Sequence, residues 1–307
     1  MKIIVVVVTY NAMRWAERCF SSIRNSNMPL DCIVIDNMSS DSTVDYIKTN
    51  FPEIILVQPD ENLGFGKGNN LGLQYAIDHN YDYVYLLNQD AWLYPDTIEQ
   101  LLSVHEKYGD IGILSPMQIQ ANEFFLDENF ADGTCRYSSN KDIINDLYFK
   151  RDKDYYEVPF VMAAHWLISK ACLLSVGGFS PVFLQYGEDG NYAARTRSKG
   201  FKIVIVPGAR AVHDRENRQM SKKQLIYLSY VGCLSELSGF YVSSKHHHIW
   251  CLMLTIHTCI KYFSFQPIKN YIRIICNLRF INKCRKESFG NCAFLRNNSY
   301  YTENNIL

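Results

Sequence analysis

Six consecutive β-branched residues, Ile3 to Val8, place the strongest constraint on the fold of this chain. β-branched side chains favour strands, and a run without polar alternation is typical of a strand buried on both faces. A lysine precedes the run, which gives it a superficial likeness to a signal peptide. The run is too short for one, and Thr9-Tyr10-Asn11 is no small-residue cleavage site. We therefore predict a buried strand, and a protein that stays inside the cell.

Short apolar runs then alternate with stretches of helical spacing as far as residue 114. This alternation is typical of a doubly wound α/β sheet with parallel strands. Polar, irregular sequence follows over residues 115–156, as expected of a loop-rich region facing a substrate. Ordered sequence resumes at residues 158–168. The predicted strands are residues 3–8, 32–35, 54–57, 83–87, 111–114 and 202–206, and the predicted helices are residues 13–26, 42–49, 68–78, 96–108, 169–175 and 189–199.

The composition argues against two classes of function. Lys and Arg number 31, as do Asp and Glu, so the chain lacks the basic field of a sequence-independent nucleic-acid binder. None of the ten cysteines forms a CxxC pair. That spacing argues against a zinc ribbon and fits reduced thiols in a cytosolic compartment.

Polar residues follow the first two predicted strands. Thr9, Tyr10 and Asn11 end the first strand, and Asp36 and Asn37 end the second. The carboxyl edge of an open α/β sheet is where ligands bind. A carboxylate there can accept the imide N–H of uracil or thymine, with the tyrosine ring against the base. The alternative is that these side chains form a turn and cap the next helix.

A glycine-rich segment, residues 62–70, stands before the third predicted helix. Gly64, Gly66 and Gly68 would let the backbone approach a phosphate or sugar, and the N-terminus of a helix favours negative charge. The segment matches neither the GxGxxG nor the GxxxxGK[ST] pattern. An ordinary flexible turn is the alternative.

Asn88-Gln89-Asp90 follows an apolar strand. Oxygen-bearing side chains at positions i and i+2 lie on one side of an extended chain, which suits Mg²⁺ or Mn²⁺ bridging a diphosphate. A turn in which Asp90 caps the following element is the alternative.

Two later motifs carry ionisable groups, Glu188-Asp189 and His213. Neighbouring carboxylates do not make a glycosidase pair, which needs carboxyl groups roughly 5–9 Å apart across a bond. One placed carboxylate is enough to act as a general base toward an acceptor hydroxyl. His213 is either a metal ligand beside Asp90 or a structural residue.

In this order and spacing, the motifs resemble glycosyltransferase family 2, and in particular the rhamnosyltransferase-like branch of bacterial surface polysaccharide synthesis. The resemblance covers residues 3–214, about two thirds of the chain. The motifs are Val-Thr-Tyr-Asn (8–11), Ile-Asp-Asn-x-Ser-x-Asp (35–41), Asn-x-Gly-Phe-Gly-x-Gly-Asn-Asn (62–70), Leu-Asn-Gln-Asp (87–90), Gly-Gly-Phe (177–179), Glu-Asp (188–189) and Ala-Val-His (211–213).

The resemblance implies a GT-A fold: a Rossmann-like mixed, mostly parallel sheet flanked by helices. Residues 1–215 would form the catalytic domain, in which 1–114 bind the nucleotide sugar and 115–215 the acceptor. Residues 216–307 would form a helical C-terminal extension. The implied enzyme is an inverting glycosyltransferase that uses Mg²⁺ or Mn²⁺. It would move a sugar, such as rhamnose, from a UDP- or dTDP-sugar to a hydroxyl of a glycan or lipid-linked acceptor in O-antigen or related polysaccharide assembly.

The resemblance also implies residue roles. Asp189 is the catalytic base, with Glu188 as the other candidate. Asp90 is a metal ligand, and His213 is a second. The residues implied in substrate binding are Thr9, Tyr10, Asn11, Asp36, Asn37, Asn62, Gly64, Gly66, Gly68, Asn69, Asn88, Gln89, His165 and Trp166.

The chain departs from the family pattern at three places. Asn88 replaces the first acid of a DxD element, so a single carboxylate should hold the metal more weakly. Asn191 stands where relatives often have a supporting acid after Glu-Asp. Residues 163–166, Ala-Ala-His-Trp, replace a glycine-containing acceptor segment and would reshape the acceptor side.

Residues 222–283 are rich in aromatic and basic residues. Their most apolar stretch, residues 249–263, is about fifteen residues long and contains His257 and Lys261, whereas a spanning helix needs roughly twenty apolar residues. We predict helices that lie on an anionic bilayer at the inner face of the cell membrane, or that pack onto the catalytic domain. The three histidines 246–248 are interpreted as surface residues. The basic residues are Lys245, Lys261, Lys269, Arg273, Arg279, Lys283 and Arg285.

Two other functions compete with a transferase. A catalytically silent nucleotide-sugar binding module would explain Asn88 and Asn191. A nucleotide-sugar dehydrogenase or epimerase would need GxGxxG after the first strand, where Thr9-Tyr10-Asn11 stands instead.

Overall fold

The computed structural model describes residues 1–136, 142–215, 220–239 and 245–295. The strands are β1 (Ile3–Thr9), β2 (Asp31–Asp36), β3 (Ile55–Val57), β4 (Tyr83–Asn88), β5 (Ala91–Leu93), β6 (Ile111–Ile119), β7 (Tyr156–Glu157), β8 (His165–Ser169) and β9 (Lys202–His213). The helices are α1 (Met13–Arg24), α2 (Thr43–Asn50), α3 (Gly64–Asp78), α4 (Thr97–Lys107), α5 (Glu128–Phe130), α6 (Asp142–Tyr148), α7 (Lys170–Val176), α8 (Glu188–Ser198), α9 (Lys222–Ser238), α10 (Lys245–Tyr262), α11 (Gln266–Cys276) and α12 (Leu278–Glu287), and a π-helical turn, Ala131–Arg136, follows α5.

These strands form one mixed sheet in the order β3-β2-β1-β4-β8-β6-β9-β5, with β7 paired to β9. β1 to β4 are parallel, while β8 runs antiparallel between β4 and β6. β6 and β9 are parallel, and β5 returns antiparallel along β9. The sheet is therefore mixed rather than parallel throughout, because the antiparallel strand β8 lies between β4 and β6.

The β-branched run of β1 is buried on both faces, as its sequence predicted. Ile4 and Val6 face one core, together with α3 and α8. Val5 and Val7 face the other, together with α1, α2 and α4. A residue period of two in a strand that is covered on both sides produces this pattern.

Helix α3 lies very close to β1. A Cβ atom added at Gly72 would lie 2.3 Å from Cγ1 of Val6. The helix begins at Gly64, four residues before the predicted start at residue 68. The glycines of residues 64–68 are therefore helical residues, and the prediction of a glycine-rich loop before the helix is wrong.

The C-terminal helices α9 to α12 surround a small apolar cluster that includes Cys233, Cys251, Ile274 and Ile281, and Phe183 from the segment before α8 is part of it. The chain then returns to the main domain. Gly178 N donates to Ala293 O at 2.7 Å, and Leu295 is buried in the core beside α3. In the part of the chain that the structure describes, no helix combines the length and apolarity needed to cross a membrane.

Candidate active site

The carboxyl ends of three neighbouring parallel strands meet at one edge of the sheet. Thr9 at the end of β1 pairs with Asp36 at the end of β2, and Val8 pairs with Asn88 at the end of β4. The polar residues singled out in the first half of the sequence thus lie together, at the edge where α/β sheets bind ligands.

Asp36 is fully buried, and its carboxylate already accepts hydrogen bonds within the protein. Thr9 Oγ1 donates to Oδ1 at 2.8 Å, Ser39 Oγ to Oδ1 at 2.6 Å, and Ser39 N to Oδ2 at 2.9 Å. These contacts correspond to the turn-forming alternative. Contact between Asp36 and a nucleotide base stays a prediction.

Tyr10 and Gln89 are joined by two hydrogen bonds. Tyr10 N donates to Gln89 Oε1 at 2.7 Å, and Gln89 Nε2 donates to Tyr10 O at 3.2 Å. The Tyr10 ring itself is 52% exposed, so it is open to stacking against a base. Asn11 holds the neighbouring loop, because its Oδ1 accepts from Ser40 N at 2.8 Å.

The glycines of α3 face protein atoms. A Cβ added at Gly64, where φ is +71°, would lie 2.6 Å from Leu184 O. One at Gly66 would lie 3.1 Å from Phe179 Cβ, and one at Gly68 would lie 3.1 Å from Val8 Cγ1. Each glycine permits close packing of the helix start, and contact of these glycines with a donor phosphate stays a prediction.

Three asparagines satisfy backbone groups around this helix start. Asn37 Nδ2 donates to Gly64 O at 3.1 Å. Asn62 Oδ1 accepts from Gly64 N at 2.9 Å, and Asn69 Nδ2 donates to Phe65 O at 2.9 Å. They place the positive end of α3 at the candidate site, where it favours an anion.

Asp90 and His213 are 123 positions apart in the sequence and adjacent in space. The antiparallel pairing of β5 with β9 sets Ala91 opposite His213. As a result, His213 Nε2 lies 3.5 Å from Asp90 Oδ1, and Asp214 N donates to Asp90 O at 2.8 Å. The structure therefore brings together the two predicted metal ligands.

Two residues that sequence reasoning missed lie behind His213. Asp127 Oδ2 is 3.7 Å from His213 Nδ1, and Arg215 Nε is 3.2 Å from the same nitrogen and 3.4 Å from the Asp127 carboxylate. Because Arg215 Nε donates to Nδ1, a neutral His213 ring carries its proton on Nε2, the nitrogen that faces Asp90. A metal at Nε2 would displace that proton, and Asp127 lies where it would accept a proton from Nδ1, as in carboxylate–histidine–metal arrangements. Asp127 caps α5 through Phe130 N at 2.8 Å, so its sequence signal was that of a helix cap.

The donor set here fits a divalent cation that a ligand completes. The 3.5 Å between Asp90 and His213 is close to the spacing of roughly 3 Å expected between neighbouring ligands of one ion. Among the described residues, no group of three or more His, Cys, Asp or Glu side chains could hold a metal. Mg²⁺ is commonly bound by one or two carboxylates plus substrate phosphates, so a diphosphate would have to supply the rest.

Glu188 and Asp189 begin α8 next to the start of α3. Burial, and then the charge of Asp189, raises the pKa of Glu188 to about 7. Burial also raises the pKa of Asp189, while hydrogen bonds from Gly190 N and Ala163 N and the charge of Arg215 oppose this. Both carboxyl groups therefore hold protons more strongly than exposed ones do.

Six buried side-chain oxygen atoms in the described residues have no hydrogen-bond partner, and three of them are Asn88 Oδ1, Glu188 Oε2 and Tyr192 Oη. Buried polar atoms are rarely left unsatisfied in native proteins. Asn88 ends β4 and Glu188 begins α8, so two of these oxygens lie on elements that reach the candidate site.

His165 and Trp166 do not reach the candidate site in the way the sequence predicted. Both are fully buried in β8. His165 Nε2 donates to Val212 O at 3.0 Å, so its Nδ1 accepts from Tyr85 Oη at 2.9 Å, and burial lowers the pKa of His165 to about 3. The Trp166 indole donates to Val161 O at 3.1 Å within the core. Neither side chain has exposed surface, so a substrate has no access to them in this structure.

Comparison with known proteins gives the family. The profile described as Glycosyl transferase family 2 matches residues 4–173, more than half of the chain. The O-antigen chain rhamnosyltransferase WbaN of Salmonella anatum is 27% identical over 68% of this chain and 64% of its own length, so just under two thirds of that relative is covered. The N-acetylglucosaminyl-diphospho-decaprenol L-rhamnosyltransferase of Mycobacterium tuberculosis is 24% identical over 69% of this chain and 75% of its own.

Solved structures agree on the fold. TarS 1-349 of S. aureus in complex with UDP-GlcNAc superposes with a TM-score of 0.54 at 12% identity, covering 94% of this chain and 89% of TarS 1-349. The mannosyltransferase PcManGT of Pyrobaculum calidifontis, in complex with GDP-Man and Mn²⁺, superposes with a TM-score of 0.56 at 16% identity, covering 93% and 84%. The predicted GT-A fold with its helical C-terminal region and the predicted enzyme class are confirmed. The chain belongs to glycosyl transferase family 2.

Proposed function

We propose that this chain is an inverting glycosyltransferase that moves a hexose, with rhamnose as the favoured candidate, from a UDP- or dTDP-sugar. The acceptor is a hydroxyl of a glycan or lipid-linked saccharide in O-antigen or related polysaccharide assembly. The observation that carries the proposal is the meeting of Asp90 and His213, 3.5 Å apart, at the sheet edge where Tyr10 is exposed. The rhamnosyltransferase relatives support the choice of sugar.

In this proposal, residues 1–114 bind the donor and residues 115–215 the acceptor. The Tyr10 ring lies against the base, and the N-terminus of α3 faces the diphosphate. Asp90 and His213 hold the cation, Mg²⁺ or Mn²⁺, which when bound neutralises charge on the leaving diphosphate.

Asp189 serves as the general base. It removes the proton of the acceptor hydroxyl while that oxygen forms a bond to the anomeric carbon. The bond from that carbon to the diphosphate breaks on the opposite face, and a nucleoside diphosphate leaves. A carboxylate whose pKa is raised toward the working pH is well suited to this proton transfer.

A catalytically silent nucleotide-sugar binding module is the second candidate, favoured by two observations. Asn88 supplies no charge beside Asp90, and Asn191 Oδ1 accepts from Arg195 Nε at 3.0 Å, so it supports α8 and adds no acid to the site. Binding without turnover would distinguish such a module from a transferase.

Calorimetry with UDP-, dTDP- and GDP-sugars, each with and without Mn²⁺ or Mg²⁺, tests the donor site. We expect metal-dependent binding of one nucleotide class, lost in Asp90→Ala. Asp214→Ala is the control. Asp214 is the acidic residue directly after His213, and its carboxylate accepts a hydrogen bond from Trp15 Nε1 at 3.0 Å. If no nucleotide sugar binds under any condition, the transferase assignment fails.

Turnover of the donor so identified, measured with Asp189→Asn, tests the base. Removing a general base typically lowers kcat by about 10²–10⁴-fold. Donor affinity should be unchanged, since Asp189 acts on the acceptor. Full activity in Asp189→Asn and its loss in Glu188→Gln would assign the base to Glu188. Wild-type binding without any turnover would favour the silent module.

A further inference from the structure

Helix α10 has its polarity inverted relative to an ordinary surface helix. Its protein-facing side carries small residues, with Cys251, Thr255 and Thr258 all buried. Its solvent-facing side carries large apolar ones: Ile249, Trp250, Leu252, Met253, Ile256 and Ile260. A surface helix in water normally shows the opposite arrangement.

The buried hydroxyls of α10 are satisfied inside the helix. Thr255 Oγ1 donates to Cys251 O at 2.8 Å, and Thr258 Oγ1 donates to Leu254 O at 2.7 Å. Small residues allow close approach of two helices, and α10 packs against α9 on this side. The small-residue side of α10 is therefore covered by protein. The side that carries the large apolar residues is exposed.

The exposed apolar surface continues past the end of α10. The turn to α11 carries Phe263 and Phe265, which are 93% and 80% exposed. On α11, Ile268, Ile272 and Ile275 follow at helical spacing and are also exposed. A contiguous apolar patch of this extent marks an interaction surface.

The positive charge of residues 245–286 indicates which kind of partner the apolar patch binds. Residues 245–286 contain eight Lys and Arg residues and no Asp or Glu, although the two charge types balance over the whole chain. A second copy of the chain would bring positive charge against positive charge. An anionic bilayer offers both an apolar interior and a negative surface. The exposed basic residues of α10, α11 and α12 are Lys261, Lys269, Arg273, Arg279, Lys283 and Lys286.

We propose that the outer faces of α10 and α11, here called the apolar face, dock onto an anionic lipid bilayer. The helices lie in the plane of the interface with Phe263 and Phe265 inserted among the acyl chains. The lysines and arginines contact the headgroups. This goes beyond the proposed transferase activity. It concerns the outer faces of α10 and α11, whereas α9 packs against the catalytic part of the chain through Tyr227 and Val231.

Flotation of the purified full chain with phosphatidylcholine vesicles, with and without phosphatidylglycerol, tests the proposal. We expect wild type to float only with phosphatidylglycerol, less so as salt rises. The double variant Met253→Glu/Ile256→Glu should bind at least about tenfold more weakly. Ile144→Glu, at an exposed apolar position on α6, is the matched control and should bind like wild type. Both substituted sites are exposed, so circular dichroism should show unchanged melting.

Trp250 gives a second readout, because it lies on the apolar face. Its fluorescence should shift to shorter wavelength with phosphatidylglycerol vesicles, and the shift should vanish in Trp250→Phe. Wild type that stays in the aqueous fraction, or a double variant that binds like wild type, would overturn the proposal. So would a wild-type dimer that the double variant converts to a monomer without any change in vesicle binding. No nucleotide sugar is present in either assay, so these outcomes are independent of the transferase assignment.

Discussion

At the scale of single residues, the two neighbouring carboxyl groups of α8 have different surroundings. Asp189 is half-buried and accepts hydrogen bonds from Gly190 N and Ala163 N. Glu188 is only 6% exposed, and its Oε2 has no partner among the described residues. An ionised Glu188 is therefore unfavourable for the folded state.

Glu188→Gln should make the stability of the protein less dependent on pH. Burial raises the pKa of Glu188 to about 7 from 4.5, so the folded state retains a proton that the unfolded state releases. The free energy of unfolding of wild type should therefore fall as pH rises from about 4.5 to 7, by on the order of 3 kcal/mol. The variant should lack this fall and be the more stable protein at pH 8.

Thermal unfolding followed by circular dichroism between pH 5 and pH 8 measures the effect. Glu128→Gln, at an exposed position, is the control and should keep the wild-type dependence. Parallel Tm curves for wild type and Glu188→Gln would show that Glu188 ionises without cost.

At the scale of elements, the packing of α3 on β1 depends on the absence of a side chain at one position. A Cβ at Gly72 would lie 2.3 and 2.8 Å from the two methyl groups of Val6, and neither atom has room to move within the buried sheet. Gly190, in α8, has no atom within 4 Å of its would-be Cβ. The two glycines thus have different reasons to be present.

Gly72→Ala should destabilise the protein by about 1–3 kcal/mol through overpacking. Gly190→Ala should stabilise it by up to about 1 kcal/mol, because alanine is the better helix former. Urea denaturation of both variants, with wild type alongside, measures the two effects. Equal gain of stability in both variants would mean that helix propensity, rather than contact with Val6, dominates.

Much of this architecture could be predicted from local sequence patterns, but the pairing of some strands could not. The runs that became β1 and β2 are unambiguous because β-branched residues without polar alternation have few other stable states. The direction of β8 and the pairing of β5 with β9 have no local signal, since a strand has the same period whichever way it runs. That pairing brings Asp90 to His213. The residue types alone left His213 as either a metal ligand beside Asp90 or a structural residue, and the resemblance to a family implied the first.

At the scale of the whole molecule, the C-terminal region supports the loop before Glu188. Tyr227 Oη, on α9, donates to Gln185 O at 3.1 Å, and a Cβ at Gly187 would lie 2.8 Å from Val231. Residues 288–295, which follow α12 and are here called the return segment, also bind Gly178 through Ala293. The sequence predicted an appended helical extension, but α9 packs against the segment that leads into α8.

Leu295→Ala should destabilise the whole protein, by about 2–5 kcal/mol, because Leu295 fills the main core beside Gly178. Phe280→Ala, at an exposed position on α12, should change stability little. Thermal unfolding of both variants provides the comparison. A small effect of Leu295→Ala, or a second separate transition in wild type, would indicate that the return segment is not part of the cooperative unit.

The double hydrogen bond between Tyr10 and Gln89 has a thermodynamic consequence. The backbone that carries the exposed ring is fastened to the residue directly before Asp90, so a shift of one entails a shift of the other. In the proposed function the ring meets the nucleotide and Asp90 meets the cation. Each ligand would then change the affinity for the other by the same factor, as reciprocity between two coupled sites requires. When the coupling is favourable, a low concentration of manganese or magnesium in the cell weakens nucleotide-sugar binding by this protein. A high concentration of donor correspondingly strengthens its binding of the ion.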